Sequence, residues 1–230
     1  TLASSGDVAL DGVNAMKELT VNSGGSIDVL GGSITTENGD VTLTAGTNPT
    51  AHDITIEGDI TTGGGAFAAT AGDDIQIRST VNTGGGTATL TTLADASVSE
   101  VSITTTGKLE TSGGNVQINS DEYFINATSG TKIDAGTGDV TIVRVSAGDM
   151  NLGAAEPSAT KNLTQGALAA ISGANLILGG ALTQDINVEG VDTSAGITGL
   201  TTLAASGADG DVTFAGANTF NTLKTTAADD

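Results

Sequence analysis

The feature that most constrains this chain is an internal repeat of short runs. Segments beginning at Ile34, Ile60, Val81, Leu109 and Ile133 read ITTENG, ITTGGG, VNTGGG, LETSGG and IDAGTG. Each leads into a second run, starting at Asp40, Ala66, Thr87, Asn115 and Asp139, and then into a third: Asp53-Ile-Thr-Ile, Asp74-Ile-Gln-Ile, Glu100-Val-Ser-Ile, Glu122-Tyr-Phe-Ile and Asp149-Met-Asn-Leu. Self-similarity at a period of 20 to 50 residues is the mark of an architecture built by stacking one unit on the next. Successive starts differ by 26 (60 − 34), 21 (81 − 60), 28 (109 − 81) and 24 (133 − 109) residues. Turns such as Thr47 to His52 and Leu93 to Ser99 absorb that variation.

Period-two alternation places Ile54 with Ile56, Ile75 with Ile77, and Val101 with Ile103 on one face. Three short strands per repeat, each closed by Gly, Asn or Asp, predict an all-β parallel β-helix (β-solenoid) with three-sided rungs. At roughly 25 residues per rung and about 4.8 Å per step, the chain makes about nine rungs in a rod on the order of 45 Å long. An antiparallel sandwich also uses short strands with regular turns, but it does not require a repeated triplet. Residues 1–230 read as a single solenoid domain, with 153–166 (GAAEPSATKNLTQG) as an irregular insertion carrying Pro157 and the helix-favouring Ala154-Ala155-Glu156. Less regular coils resume at Asn175, Asp185 and Asp211.

A longer repeat overlies the short one, since residues 1–22 resemble 202–226. Thr1 to Gly6 (TLASSG) matches Thr202 to Gly207 (TLAASG), and Gly6 to Leu10 (GDVAL) matches Gly210 to Phe214 (GDVTF). Gly12, Asn14 and Leu19 likewise match Gly216, Asn218 and Leu223. A tandem unit of roughly 200 residues accounts for these matches, and a sequence opening inside a repeat reads as a piece of something longer.

Composition narrows function. The chain has 27 acidic and 7 basic residues, a formal charge of −20, no Cys and no Trp. Such acidity repels nucleic acid and anionic lipid, and the absence of Cys removes disulfides and thiolate metal sites. No apolar run reaches the roughly 18 residues of a membrane span. With aromatics at 2% of residues, the interior must be filled by Val, Ile, Leu and Ala. Tyr123, Phe67, Phe124, Phe214 and Phe220 sit in strand-like runs and are expected in that core.

Runs such as ITTGGGAFAATAGDDIQI and GDVTLTAG resemble the Gly-rich repeats of filamentous-haemagglutinin-like exoproteins exported by two-partner secretion, most closely from Ser33 to Leu152; autotransporter passengers share the style. The resemblance implies a right-handed β-helix shaft, secretion through an outer-membrane β-barrel, an extracellular or cell-surface location, and roles in adhesion or biofilm. The amino-terminal secretion domain of that family is not recognisable here.

The residues expected to carry chemistry are the five acids that open the third run, Asp53, Asp74, Glu100, Glu122 and Asp149. Stacked about 5 Å apart, neighbours repel by about 1 kcal/mol or more at surface dielectric. Calcium, which takes carboxylate and backbone oxygens in loose geometry, would relieve this; a salt-screened solvated corner is the plain alternative. No cofactor is required by any motif, and no residue is singled out as catalytic. His52, the only histidine, reads as a turn residue. Polysaccharide-processing or glycan-binding solenoids remain open, although no feature selects two carboxylates from 27. Ice binding is a further alternative, from Thr42/Thr44, Thr89/Thr91 and Thr104/Thr106, with the last pair on a different strand from the others. The expected partners are further copies of the same repeat, head to tail, and surface or matrix glycans.

Overall fold

The computed structural model describes residues 1–12, 14–46, 52–94, 99–128, 130–154 and 162–228. The turns expected at Thr47 to His52 and Leu93 to Ser99 fall largely outside them. Within the expected insertion, residues 155–161, with Ala155, Glu156 and Pro157, also lie outside.

Every strand pair named below is parallel, and the chain winds through three sides in turn. One side is a seven-stranded sheet in which Ile34, Ile60, Val81, Leu109, Ile133 and Ile171 are successive partners. The second is a ten-stranded sheet from Leu2–Ser4 to Thr222–Ala227. The third is a six-stranded sheet from Val8–Leu10 to Glu122–Ile125, beyond which lies a separate four-stranded sheet. The result is a β-solenoid of about eight turns with three strands per coil. One coil is longer than the rest, Val140 pairing with Leu176 across 36 residues.

The interior follows from the alternation. Ile27, Ile54, Ile75 and Val101 stack in register, as do Val29, Ile56, Ile77 and Ile103, and all are buried. Small aliphatics suit a core only one strand-width deep, and β-branched residues pack well on a pleated surface. Phe67 and Tyr123 join this core, but Phe124 does not and is 49% exposed. In Glu122-Tyr123-Phe124-Ile125 the period of two sends Tyr123 and Ile125 inward and Phe124 out. Phe214 is 43% exposed although it pairs with buried Val188, because it lies on the outermost strand of its sheet.

The TxxG corners between the first and second sides are built from two columns. The hydroxyls of Thr36, Thr62, Thr83 and Thr111 are buried and directed at the carbonyls of Gly39, Gly65, Gly86 and Gly114, closing each turn. Glycine is required beneath them by contact. A Cβ on Gly86 would sit 2.0 Å from the carbonyl oxygen of Gly65, and one on Gly114 would be as close to Gly86.

Candidate functional site

The acidic residues that open the third-side strands form a hydrogen-bonded column. As the chain turns this corner, the backbone N–H of the opening residue finds no carbonyl in the coil below, and a side-chain oxygen takes its place. Ser26 N–H donates to Asp7 Oδ1 at 2.9 Å, Asp53 N–H to Ser26 Oγ at 3.1 Å, Asp74 N–H to Asp53 Oδ1 at 3.2 Å and Glu100 N–H to Asp74 Oδ1 at 2.9 Å. The carbonyls run the opposite way, Ile27 N–H donating to Asp53 O and Ile54 N–H to Asp74 O, both at 2.9 Å. Each carboxylate thus staples one coil to the next.

At Glu122 the pattern breaks. Glu100 and Glu122 are direct partners, but Glu122 N–H donates to Ser99 O rather than to a side chain. Glu122 is 4% exposed and its Oε1 has no hydrogen-bond partner. Burial raises the Glu100 carboxyl above the usual range, with the Asp74 and Glu122 charges adding to the effect. Asp74 is raised as well, first by burial and then by neighbouring Asp73, Asp53 and Glu122, against the lowering hydrogen bond from Glu100 N–H.

Asp149 does not belong to this column. It lies on Gly148–Gly153 in the four-stranded sheet, where Asp185 N–H donates to its Oδ1 at 3.3 Å and Asp211 N–H to Asp185 Oδ1 at 3.1 Å. Four of the five expected acids are therefore brought together, and the fifth starts a second staple. Asp7, Ser26, Asp185 and Asp211 are members that the five-residue alignment left out. Their signal was present in GDVAL, GSIDV, QDINV and GDVTF, each an opening residue before an alternating run. Among the described residues, no group of three or more His, Cys, Asp or Glu side chains is placed to hold a metal ion.

The break between the two columns is closed by a buried ion pair. Arg144, 4% exposed, places Nη2 at 3.0 Å from Asp121 Oδ1, while Nη1 donates to the carbonyls of Asp121 and Asp149 at 3.1 and 3.3 Å. Asp121 also accepts from Ser146 N–H and Oγ–H. The guanidinium spans two backbones that no longer pair directly. Asn162–Thr164 pairs with Asn151 to Gly153, and a short helix, Gln165–Ala169, returns the chain to the first side. Among the described residues of the irregular stretch, Gln165 and Gly166 begin this helix.

Outward faces carry rows of short polar side chains. On the second side Thr20, Thr42, Ala68, Thr89, Gln117 and Thr141 are successive partners, with Asn22, Thr44, Thr70, Thr91 and Asn119 in the adjoining row. Thr104 follows Ile103 on the third side, away from both rows. A shallow groove of about 300 Å³ on the four-stranded sheet is lined by Asn151, Asn187, Glu189 and Thr213, with Asn187 Nδ2 donating to Asn151 Oδ1 at 2.9 Å. His52 is half-buried, and no helix among the described residues is long and apolar enough to cross a membrane.

Fold and site together define a parallel β-solenoid whose acids tie successive coils. No known protein family, curated protein or solved structure matches the chain.

Proposed function

We propose that the chain is a length of shaft from an extracellular bacterial adhesin or surface filament, a right-handed β-helix of the filamentous-haemagglutinin-like kind. It acts by head-to-tail continuation and multivalent contact, without catalysis. The observation that carries this reading is the repetition of one small polar surface over the coils from Thr20 to Thr141, in the Thr/Asn/Gln rows of the second side. A rod that presents the same weak contact many times gains avidity from geometry alone. Cell-surface or matrix glycans suit such short hydrogen-bonding side chains, and the net charge of −20 disfavours nucleic acid as the target.

Calcium enters as an auxiliary of the column Asp53, Asp74, Glu100 and Glu122. Ions shared between neighbouring carboxylates lower their mutual repulsion and stiffen the rod. Electron microscopy at high protein concentration, in calcium and in chelator, tests both parts. Rods joined end to end and shortened by chelator are expected; isolated monomeric rods in both conditions would remove self-association and the calcium role together.

The threonine rows also favour a second reading, ice binding. Thr20, Thr42, Thr44, Thr70, Thr89, Thr91 and Thr141 do share one side, interrupted by Ala68 and Gln117. Thermal hysteresis in dilute solution would support it, and its absence would leave the adhesive reading alone.

A further inference from the structure

The coil at residues 202–220 reproduces the coil at residues 1–16 in detail. Leu2 pairs with Val21 and Leu203 with Thr225, so the two coils hand on to their successors in the same register once a three-residue insertion near Asp209 is allowed for. Beyond that insertion the offset is 204 (218 − 14). Asn14 Nδ2 donates to the carbonyls of Asp11 and Gly12, and Asn218 Nδ2 to those of Ala215 and Gly216. Asp7 and Asp211 open equivalent strands, Val8–Leu10 and Val212–Ala215. The two coils differ in what lies over them. Ile27–Val29 covers Val8–Leu10, and Ser33–Thr36 covers Asn14–Met16. Over the second coil, Phe214 is 43% and Leu223 38% exposed, with Val212 and Phe220 only partly buried.

We propose that the surface formed by Val212, Phe214, Phe220 and Leu223 is an interface for one occupant, a coil with the chemistry of residues 24–41 (GGSIDVLGGSITTENGDV) from a further copy of the unit, Val41 being the residue that covers Leu19, the counterpart of Leu223. The first coil shows what this coil must provide. Its backbone N–H at the Ser26 position meets the Asp211 carboxylate, as Ser26 N–H meets Asp7 Oδ1 at 2.9 Å. Alternating Ile and Val cover Val212 and Phe214. A glycine crosses Gly216, because a Cβ on Gly32 would lie 2.2 Å from the carbonyl oxygen of Gly12. The inference rests on the reading of the chain as a continuing shaft and names what continues it.

The test extends the full chain after Ala227 with residues 24–46 of its own sequence. A second version omits Ser26 from the added segment, which turns every later side chain to the opposite face. A third carries Gly32→Val in that segment. Hydrogen exchange read by mass spectrometry at Val212–Ala215 and Thr222–Ala227 is expected to slow at least about tenfold in the first version and not in the other two. Exchange at Ile54–Ile56 and Ile75–Ile77 reports that the body of the rod is folded in all three. Equal exchange in the matched and shifted versions overturns the inference. End-to-end rods in the microscope alongside an unprotected matched extension would leave the shaft reading standing while removing this one.

Discussion

The coils between Leu19 and Val143 and the widened coil from Val140 to Leu176 solve one problem in different ways. In the regular coils most stacking contacts are repeated above and below, so Thr62, Gly65 and Asp74 each have counterparts one coil away. In the widened coil the third side loses a direct strand pair, and Arg144, Asp121, Ser146 and a five-residue helix carry the connection. A repeated device shares its function among copies, whereas a single device concentrates it. Mutational cost should therefore be sharper at the seam than in the regular stack.

Arg144→Leu is expected to cost about 3–5 kcal/mol, because it leaves the Asp121 carboxylate buried without its cation. Urea denaturation measures it. Pairing Arg144→Leu with Asp121→Ala should recover part of the loss, and a double variant no better than the single one would show that the seam depends on backbone bridging rather than on charge.

Thr62→Val probes the regular corner, where a hydroxyl directed at Gly65 O is lost without change of shape. A loss of about 1 kcal/mol is expected, with Thr83→Val matching it within error. Clearly unequal costs at these two positions would undo the claim that the corners are interchangeable.

The smallest effect concerns the column. A carboxyl whose folded pKa is raised costs stability above that pKa, and the cost disappears below the unfolded value. Glu100→Gln should therefore stabilise the protein at pH 7 by about 0.5 kcal/mol, after allowance for solvent screening at a partly exposed site. The gain should vanish below about pH 4. A benefit that persists at low pH would assign it to packing instead.

Much of the stack was legible because its signal is local and repeated. Ile34, Ile60, Val81, Leu109 and Ile133 align by eye and are partners in the sheet. The fate of Asp149 was not legible, since its alignment with Glu122 is correct within the run and fails only because Arg144 and Asn162–Thr164 intervene in space. Phe124 was misplaced for a different reason. An aromatic side chain was counted as core by type, and the alternation that sends it outward was already written in Tyr123 and Ile125. The threonine rows were underestimated because Thr20, Thr70 and Thr141 join Thr42 and Thr89 only once register is known.

The direction of the backbone hydrogen bonds sets how such a rod bears tension. They run between coils, along the axis, so force applied through the two ends of the chain peels the outermost coil one bond at a time instead of shearing a whole sheet. A released coil of roughly 25 residues adds on the order of 80 Å of extensible chain at about 3.3 Å per residue. The coil from Val140 to Leu176, with 36 residues, is the long step. A solenoid of this design lengthens by instalments and keeps its unpeeled remainder intact.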